Sequence, residues 1–398
     1  MRVISPLHIG NGNELTPVDF YPAKDRIYVL DVDKLISDLV KLGVEYDELL
    51  DFLKSPGESW YIWKHYLERY HLNPAHYSRY SLKIKGELGK RSSGIREFIK
   101  TNGKPYIPGS SIKGAIRTAV MYKVLRDCGD VNTVVEAIRW SGEIIKDKNK
   151  KNRTINKVIS KLIEDIYYKS EDLLDYHLTI LLRENVDPKS ADDSLEAIVF
   201  GFEVSRGRIR HEPKRDPMRG LIVRDSKPIS LDKLSLYEVK VHGNPQLIPI
   251  YVEALDPGTV VDIEIRVDRE LLKRNANYMN GLFWYCLSLK GDPWDVFEEF
   301  IWEAVDDFYK ELAKAEERKA REFYKELSSY ERILRVGWGS GWISTTIGLL
   351  LKGRGNKWER VRRKLGLGKN PKTKNIVAKF PKTYRLTTNG MPMGWVAL

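Results

Sequence analysis

The sequence predicts an α+β fold, on three observations. Residues 260–267 alternate apolar and charged side chains with period two, the mark of a half-buried strand. After the turn at Pro108-Gly109, Ile112, Ala115, Ile116 and Ala119 recur at helical spacing. Residues 131–200 then read as almost continuous helix, between regions of strand character on either side.

The elements follow in order. Residues 1–9 carry β-branched side chains in loose alternation and read as a strand, which Gly10-Asn11-Gly12-Asn13 ends with turn chemistry. Residues 27–30 are a second strand, and Asp31 caps a helix running through Leu42. Residues 44–72 are helical and aromatic-rich, with Tyr61, Trp63, Tyr66 and Tyr70 serving as core or as a partner face. Residues 78–104 are polar and basic, including Lys83, Lys85, Lys90, Arg91, Arg96 and Lys100. They form a loop or edge hairpin that grips phosphates, or simply a solvated loop. A helix runs from Ser110 to Asp127. Strand character returns at 200–210, 220–225 and 251–267. A long helix of mixed charge covers 294–330, a short strand covers 333–336, and a last strand covers 384–388. The chain thus divides into a first part (1–130), a helical insertion (131–200) and a third part (201–398).

With 398 residues, 42% of them hydrophobic, the chain can bury a sizeable core. Its net charge of +12 calls for a polyanionic partner, most simply nucleic acid, with an anionic membrane surface as the rival. No apolar run approaches the ~18 residues a bilayer span needs. The start lacks a signal-peptide core, so an intracellular, cytoplasmic protein is expected. Two cysteines far apart, Cys128 and Cys286, give neither zinc spacing nor a disulfide framework and are expected as reduced, buried thiols. A single glutamine, Gln246, among many charged residues fits a heat-adapted source.

Three segments carry binding chemistry. At 108–117, Gly109, Ser110 and Ser111 open a helix, one serine serving as N-cap, while Lys113 and Arg117 sit four apart on another face. A helix N-terminus, two hydroxyls and two cations suit a phosphate or a nucleic-acid backbone, though an ordinary capped helix has the same pattern. At 337–342, Gly337, Trp338, Gly339, Ser340, Gly341 and Trp342 alternate glycine with tryptophan. Backbone N–H groups there can approach a ligand and the indoles can stack on bases, or the tryptophans belong to the core. The third segment, 352–385, holds thirteen Lys/Arg and one acid, Glu359, and includes Lys352, Arg354, Arg362 and Arg363.

Four pieces together resemble one family. Ser5-Pro-Leu-His-Ile-Gly10, Tyr106-Ile-Pro-Gly-Ser-Ser-Ile-Lys-Gly-Ala-Ile-Arg-Thr118, Leu221-Ile-Val-Arg-Asp-Ser226 and Val336-Gly-Trp-Gly-Ser-Gly341 are similar, in order, to motifs of the repeat-associated mysterious proteins (RAMPs) of CRISPR systems. Within that family the length, helical insertion and basic tail most resemble the fifth subunit of the type III-A Csm effector complex. The resemblance implies a ferredoxin-like, RRM-like core that binds guide RNA (crRNA) near its 3′ end, beside the repeating backbone subunit. It also implies contact with other Csm subunits, proximity to target RNA, and a part in antiviral defence. Guide maturation would come from recruiting or positioning host nucleases. Little base-edge readout is expected, because such a subunit accepts many guide sequences.

No convincing catalytic constellation is present, so the expectation is a non-catalytic RNA-binding subunit with no cofactor and no metal. Two alternatives stay open. One is a RAMP endoribonuclease that processes guide RNA, for which His8 is a weak catalytic candidate. A metal-dependent variant would draw on Asp192, Asp193, Asp225, Asp306 or Asp307, although the last pair is expected to be solvated on its helix. The other is a protein scaffold that meets RNA only in the assembly.

Overall fold

Period-two segments from both ends of the chain meet in one mixed sheet. The computed structural model describes residues 1–398 except 56, 58, 90–93, 147–151, 244–248, 371, 372 and 379. The strand order is Gly10–Leu15, Ile95–Phe98, Ile250–Leu255, Leu234–His242, Ser78–Lys85, Arg26–Leu30 and Phe20–Pro22. Tyr384–Thr387 pairs with the second half of Leu234–His242. Ile95–Phe98 runs parallel to Ile250–Leu255, and Ser78–Lys85 runs parallel to Leu234–His242. The other pairings are antiparallel.

Residues 1–9 stitch this sheet to a smaller one of Arg2–Val3, Trp395–Ala397 and Ile333–Arg335. On one side Val3 N–H donates to Thr259 O at 2.9 Å and Leu255 N–H donates to Leu7 O at 2.8 Å. On the other, Ile4 N–H donates to Trp395 O at 2.9 Å and Trp338 N–H donates to His8 O at 2.8 Å. Only Arg2–Val3 keeps regular strand pairing, and Pro6, which has no N–H, follows soon after. The sheet therefore curls around this segment.

The helix Gly109–Asp127 lies against Pro293–Glu316. Tyr309 Oη donates to Ala115 O at 3.1 Å, and Lys123 Nζ sits 2.9 Å from Asp307. Residues 131–200 hold the helices Val131–Lys146, Asn152–Lys169, Leu173–Arg183 and Asp193–Phe200, which share the main core through Val134, Ile138, Ile155, Ile159 and Leu178. A smaller helical lobe, Val32–Lys41, Tyr46–Lys54 and Lys64–Arg69, packs its own core of Leu35, Leu39, Leu49, Trp63 and Leu67 against Leu30. Asp31 caps its first helix as expected, accepting from Lys34 N–H at 3.1 Å.

Four expectations are corrected. Gly10–Asn13 is not a terminating turn but the start of an edge strand. Gly12, with φ of 93°, lies within the register shift between Gly10 and Glu14, so a glycine that reads as a turn marks a bulge instead. Residues 78–104 are largely sheet rather than loop, although Lys90 and Arg91 lie outside the described residues. Asp307 is not a free solvated acid: partly exposed, it pairs with Lys123 and with Arg126, the latter at 2.6 Å. Cys128 and Cys286 are disulfide-bonded rather than free, with Cα atoms 6.2 Å apart. Sequence spacing gives no hint of this pair, because the fold alone brings the end of Gly109–Asp127 beside Leu282–Ser288.

Candidate nucleic-acid interface

The two faces of the sheet differ in character. Leu234, Leu236 and Leu255 point into the main core. Tyr237, Val239, Val252 and Ala254 alternate to the outer face, where they meet Met393 and Trp338 in a small second cluster. Residues directly in register share a face. Register places Arg96 beside Val252, Arg385 beside Val241, Lys85 beside Tyr237, Lys83 beside Ser235, and Arg26 beside Lys83. Five cations therefore lie on the outer face. The helical lobe covers one end of that face at Tyr28 and Leu30, and the C-terminal segment with the glycine loop covers the other. Lys83 and Lys85 are exposed on the strand between the two covers. Acids on or beside the face include Asp25, 3.3 Å from Arg26, Glu14, 3.5 Å from Arg96, and Asp256, which accepts from Ser235 Oγ at 2.9 Å and Tyr237 Oη at 2.7 Å.

The glycine loop is pinned onto this face. The strand before it ends at Arg335, buried in an ion pair with Glu316 and donating through Nε to Met393 O at 2.9 Å. Gly337 then passes so close to the first segment that a Cβ would sit 2.4 Å from His8 O, and its φ of 78° also favours glycine. Trp338 is half-buried. The Arg96 and Arg385 guanidinium carbons lie over its ring at 4.8 and 4.9 Å, and the His8 ring meets its edge at 5.9 Å. Ser340 is buried and donates to Gly337 O. Trp342 turns inward, stacked on Trp358 at 5.4 Å and edge-on to Phe380 at 4.9 Å. Gly339 is buried and Gly341 is exposed.

His8 sits under the loop, 2% exposed, with Nδ1 2.6 Å from Glu253 O. Burial lowers its pKa to about 4, with the positive charges of Arg96 and Lys100 adding to the shift. It is therefore a neutral ring at neutral pH, and Nδ1 as the N–H tautomer would donate to that carbonyl. Glu253, fully buried beneath it, accepts from Tyr80 Oη at 2.6 Å, Phe98 N–H at 2.7 Å and Lys100 Nζ. This network braces the sheet directly under the loop.

The 108–117 segment is arranged otherwise than expected. The helix starts at Gly109 with Pro108 as N-cap, so neither Ser110 nor Ser111 caps it. Asp225 supplies the carboxylate, accepting from Gly109 N–H at 2.8 Å. The positive end of the helix thus already faces an acid of the same chain. Gly109 is required, since a Cβ would lie 2.3 Å from Val223 O. Lys113 donates to Leu221 O at 2.8 Å, and burial lowers its pKa. Arg117 pairs with Glu196 at 2.7 Å and Asp216 at 2.6 Å, with its guanidinium 3.6 Å from the Phe200 ring centroid. Ser110 is exposed and Ser111 half-buried. Among the described residues no ion pair or ring contact joins this group to the glycine loop.

The basic run 352–385 is divided. Arg354 pairs with Asp172 at 2.5 Å, and Lys357 pairs with Asp175, so this segment docks on Leu173–Arg183. Arg362 is fully buried, held by Glu359, by Leu367 O at 3.1 Å and by Val377 O at 3.1 Å. Lys352 and Arg363 are exposed. The density of charge signals an interface, but a good part of it is spent on holding the segment in place.

Arg26 was missing from the sequence-based set, and Arg385 was only one charge of the basic run. The signal that finds such residues is period two: Lys83-Ile84-Lys85 alternates out, in, out. Which strand pairs with which, and so which cations share a face, follows only from the fold.

The RAMP superfamily model matches residues 1–344. A crystal structure of T. onnurineus Csm5 is 50% identical and superposes with a TM-score of 0.82, covering all of this chain and 99% of that one. A chain in a cryo-EM structure of a Csm–crRNA–target RNA ternary complex of a type III-A CRISPR-Cas system is 49% identical, with a TM-score of 0.83 and 100% and 98% coverage. A curated relative named Csm5, from Methanocaldococcus jannaschii, is 35% identical over 124 residues; this match spans 30% of this chain and 29% of that protein's length. The ordered motifs, the mixed fold and these likenesses agree, and the chain belongs to the RAMP superfamily, in the group represented by Csm5.

Proposed function

We propose that this chain is a non-catalytic RNA-binding subunit of a type III-A Csm complex, and that it holds crRNA near the 3′ end on the outer face of its sheet. The observation that carries this reading is the placement of Arg26, Lys83, Lys85, Arg96 and Arg385 on one face of the sheet, the last two at the glycine loop and the two lysines exposed on the strand between the covers. A stripe of cations on a sheet tracks a phosphate backbone without reading bases. That suits a partner of variable sequence. The likeness to a chain of a Csm–crRNA–target RNA complex supports the same assignment, together with contacts to other Csm subunits and nearness to target RNA. The core is taken as ferredoxin-like, with Gly109–Asp127 and Pro293–Glu316 packed on the smaller sheet at Ile333–Arg335, and guide maturation as a consequence of where the subunit sits, through host nucleases it positions. His8 is a brace for the loop on this reading, and Arg363 and Lys352 extend the basic surface. Among the described residues no helix is long and apolar enough to cross a membrane.

The test is equilibrium binding of single-stranded RNA across a salt series. Lys83→Glu with Lys85→Glu should weaken binding at least tenfold for guide-like and unrelated strands alike, and flatten the log–log salt slope by about 1.4, or ~0.7 for each of two lost phosphate contacts. Equal affinity and slope in wild type and variant remove this face from the interface.

A further inference from the structure

Both guanidiniums over Trp338 have few other engagements. Among the described residues Arg96 has one ion-pair partner, Glu14 at 3.5 Å, with both side chains partly exposed. Arg385 has no hydrogen-bond or ion-pair partner among the described residues, and its Nε is buried without an acceptor. Burial, and secondarily the charge of Arg96, destabilise its charged form. The ring-to-carbon distances of 4.8 and 4.9 Å keep the two guanidiniums within about 10 Å of each other. Like charges held this close beside one indole, one of them with an orphaned donor, make a site short of an anion. The scaffold beneath is stiff: the Trp338 backbone N–H donates to His8 O at 2.8 Å, and the C-terminal segment beside the loop is tied by Gly394 N–H to Pro6 O at 2.9 Å and by Val336 N–H to Gly394 O at 2.8 Å. Trp338 itself, carrying two guanidiniums, is poorly placed to stack on a base.

We infer that Arg96 and Arg385, held by Trp338, form a seat for one phosphodiester of the bound RNA strand, and that Trp338 serves as a positioning residue rather than as a stacking platform. This rests on the proposed RNA-binding function and adds the ligand chemistry of the loop. A phosphodiester offers two non-bridging oxygens, one for each guanidinium, and a phosphate there would give Arg385 Nε its missing acceptor.

The experiment uses the full chain and a set of single-stranded RNAs, each with one phosphate replaced by an uncharged methylphosphonate. In the wild type, one position of the modification should weaken binding far more than its neighbours. Arg96→Gln with Arg385→Gln should weaken binding of unmodified RNA about 10- to 100-fold. It should flatten the salt slope by ~0.7, one phosphate, and the sensitive position should lose its effect. Arg96→Lys with Arg385→Lys should recover part of the affinity, which a merely structural loss would not do. Trp338→Phe should keep most of the affinity, whereas an abasic nucleotide at any position should cost little. Thermal unfolding of each variant checks that it folds. Unchanged affinity in the folded Gln variant, with wild type binding RNA, overturns the seat and leaves the wider reading standing. A large penalty for an abasic nucleotide abolished by Trp338→Ala overturns it in favour of stacking. Failure of the wild type to bind RNA overturns both.

Discussion

Replacing Arg117 with Met separates a scaffold role from an RNA contact at the most recognisable motif of the chain. Arg117 is 23% exposed, and its guanidinium bridges Glu196 and Asp216, the latter 8% exposed. Met keeps an apolar contact with Phe200 but removes the charge. Asp216 is then left with Met218 N–H at 2.8 Å and with His211 at 3.1 Å. Removing one partner of a buried pair costs about 3–5 kcal/mol, whereas an exposed pair is worth at most ~1 kcal/mol. With Asp216 buried and Glu196 half-exposed, the lower end applies, about 3 kcal/mol. Urea unfolding of wild type and Arg117→Met reads this directly as a shift in midpoint at constant slope. RNA affinity measured on the same preparations should stay within about twofold, since the guanidinium is already occupied. A variant with unchanged stability and RNA binding weakened tenfold would refute the reasoning and return Arg117 to the interface.

Other outcomes follow from the same geometry. Gly109→Ala should destabilise by about 3 kcal/mol, because a Cβ would lie 2.3 Å from Val223 O, while Gly114→Ala, with open space around it, should stabilise by about 0.5–1 kcal/mol; equal unfolding midpoints would contradict this. Reducing Cys128–Cys286, which closes a sequence separation of 158 residues, should cost up to about 5 kcal/mol, read from unfolding with and without reductant and in Cys128→Ser with Cys286→Ser. His8 and His177 both have pKa values lowered to about 4 by burial, so the unfolded chain binds more protons below its ordinary value of about 6.5. Stability should thus be full above that value and fall as pH drops toward 4, by about 3 kcal/mol per histidine, and His177→Gln should remove roughly half of this slope.

Much of the architecture was legible from local pattern. The Asp31 cap, the helices of 131–200 and the short strands at 202–211 and 384–387 were readable from periodicity and punctuation, whereas the single helix expected over 294–330 is Pro293–Glu316 followed, after a break, by Arg321–Leu327. What failed was decided by distant partners. Asp225 lies 116 residues from the Gly109 N–H it caps, so the serines next to that helix start were the wrong place to look. Gly10–Asn13 carries turn residues but is held in a strand by Ile95–Phe98. The candidate site shows the same limit. Trp338 and the loop glycines were visible as a motif, yet only strand register reveals that Arg96 and Arg385 arrive on the same face beneath Trp338.

The most direct test of the central claim is photocrosslinking of a single-stranded RNA to the full chain, with the linked peptides mapped by mass spectrometry. Crosslinks within the strands Ser78–Lys85 and Ile95–Phe98, the loop 337–342 and the strand Tyr384–Thr387 are the predicted result. Crosslinks confined to the Ser110–Arg117 turn of the helix, with the outer sheet face untouched, would contradict it.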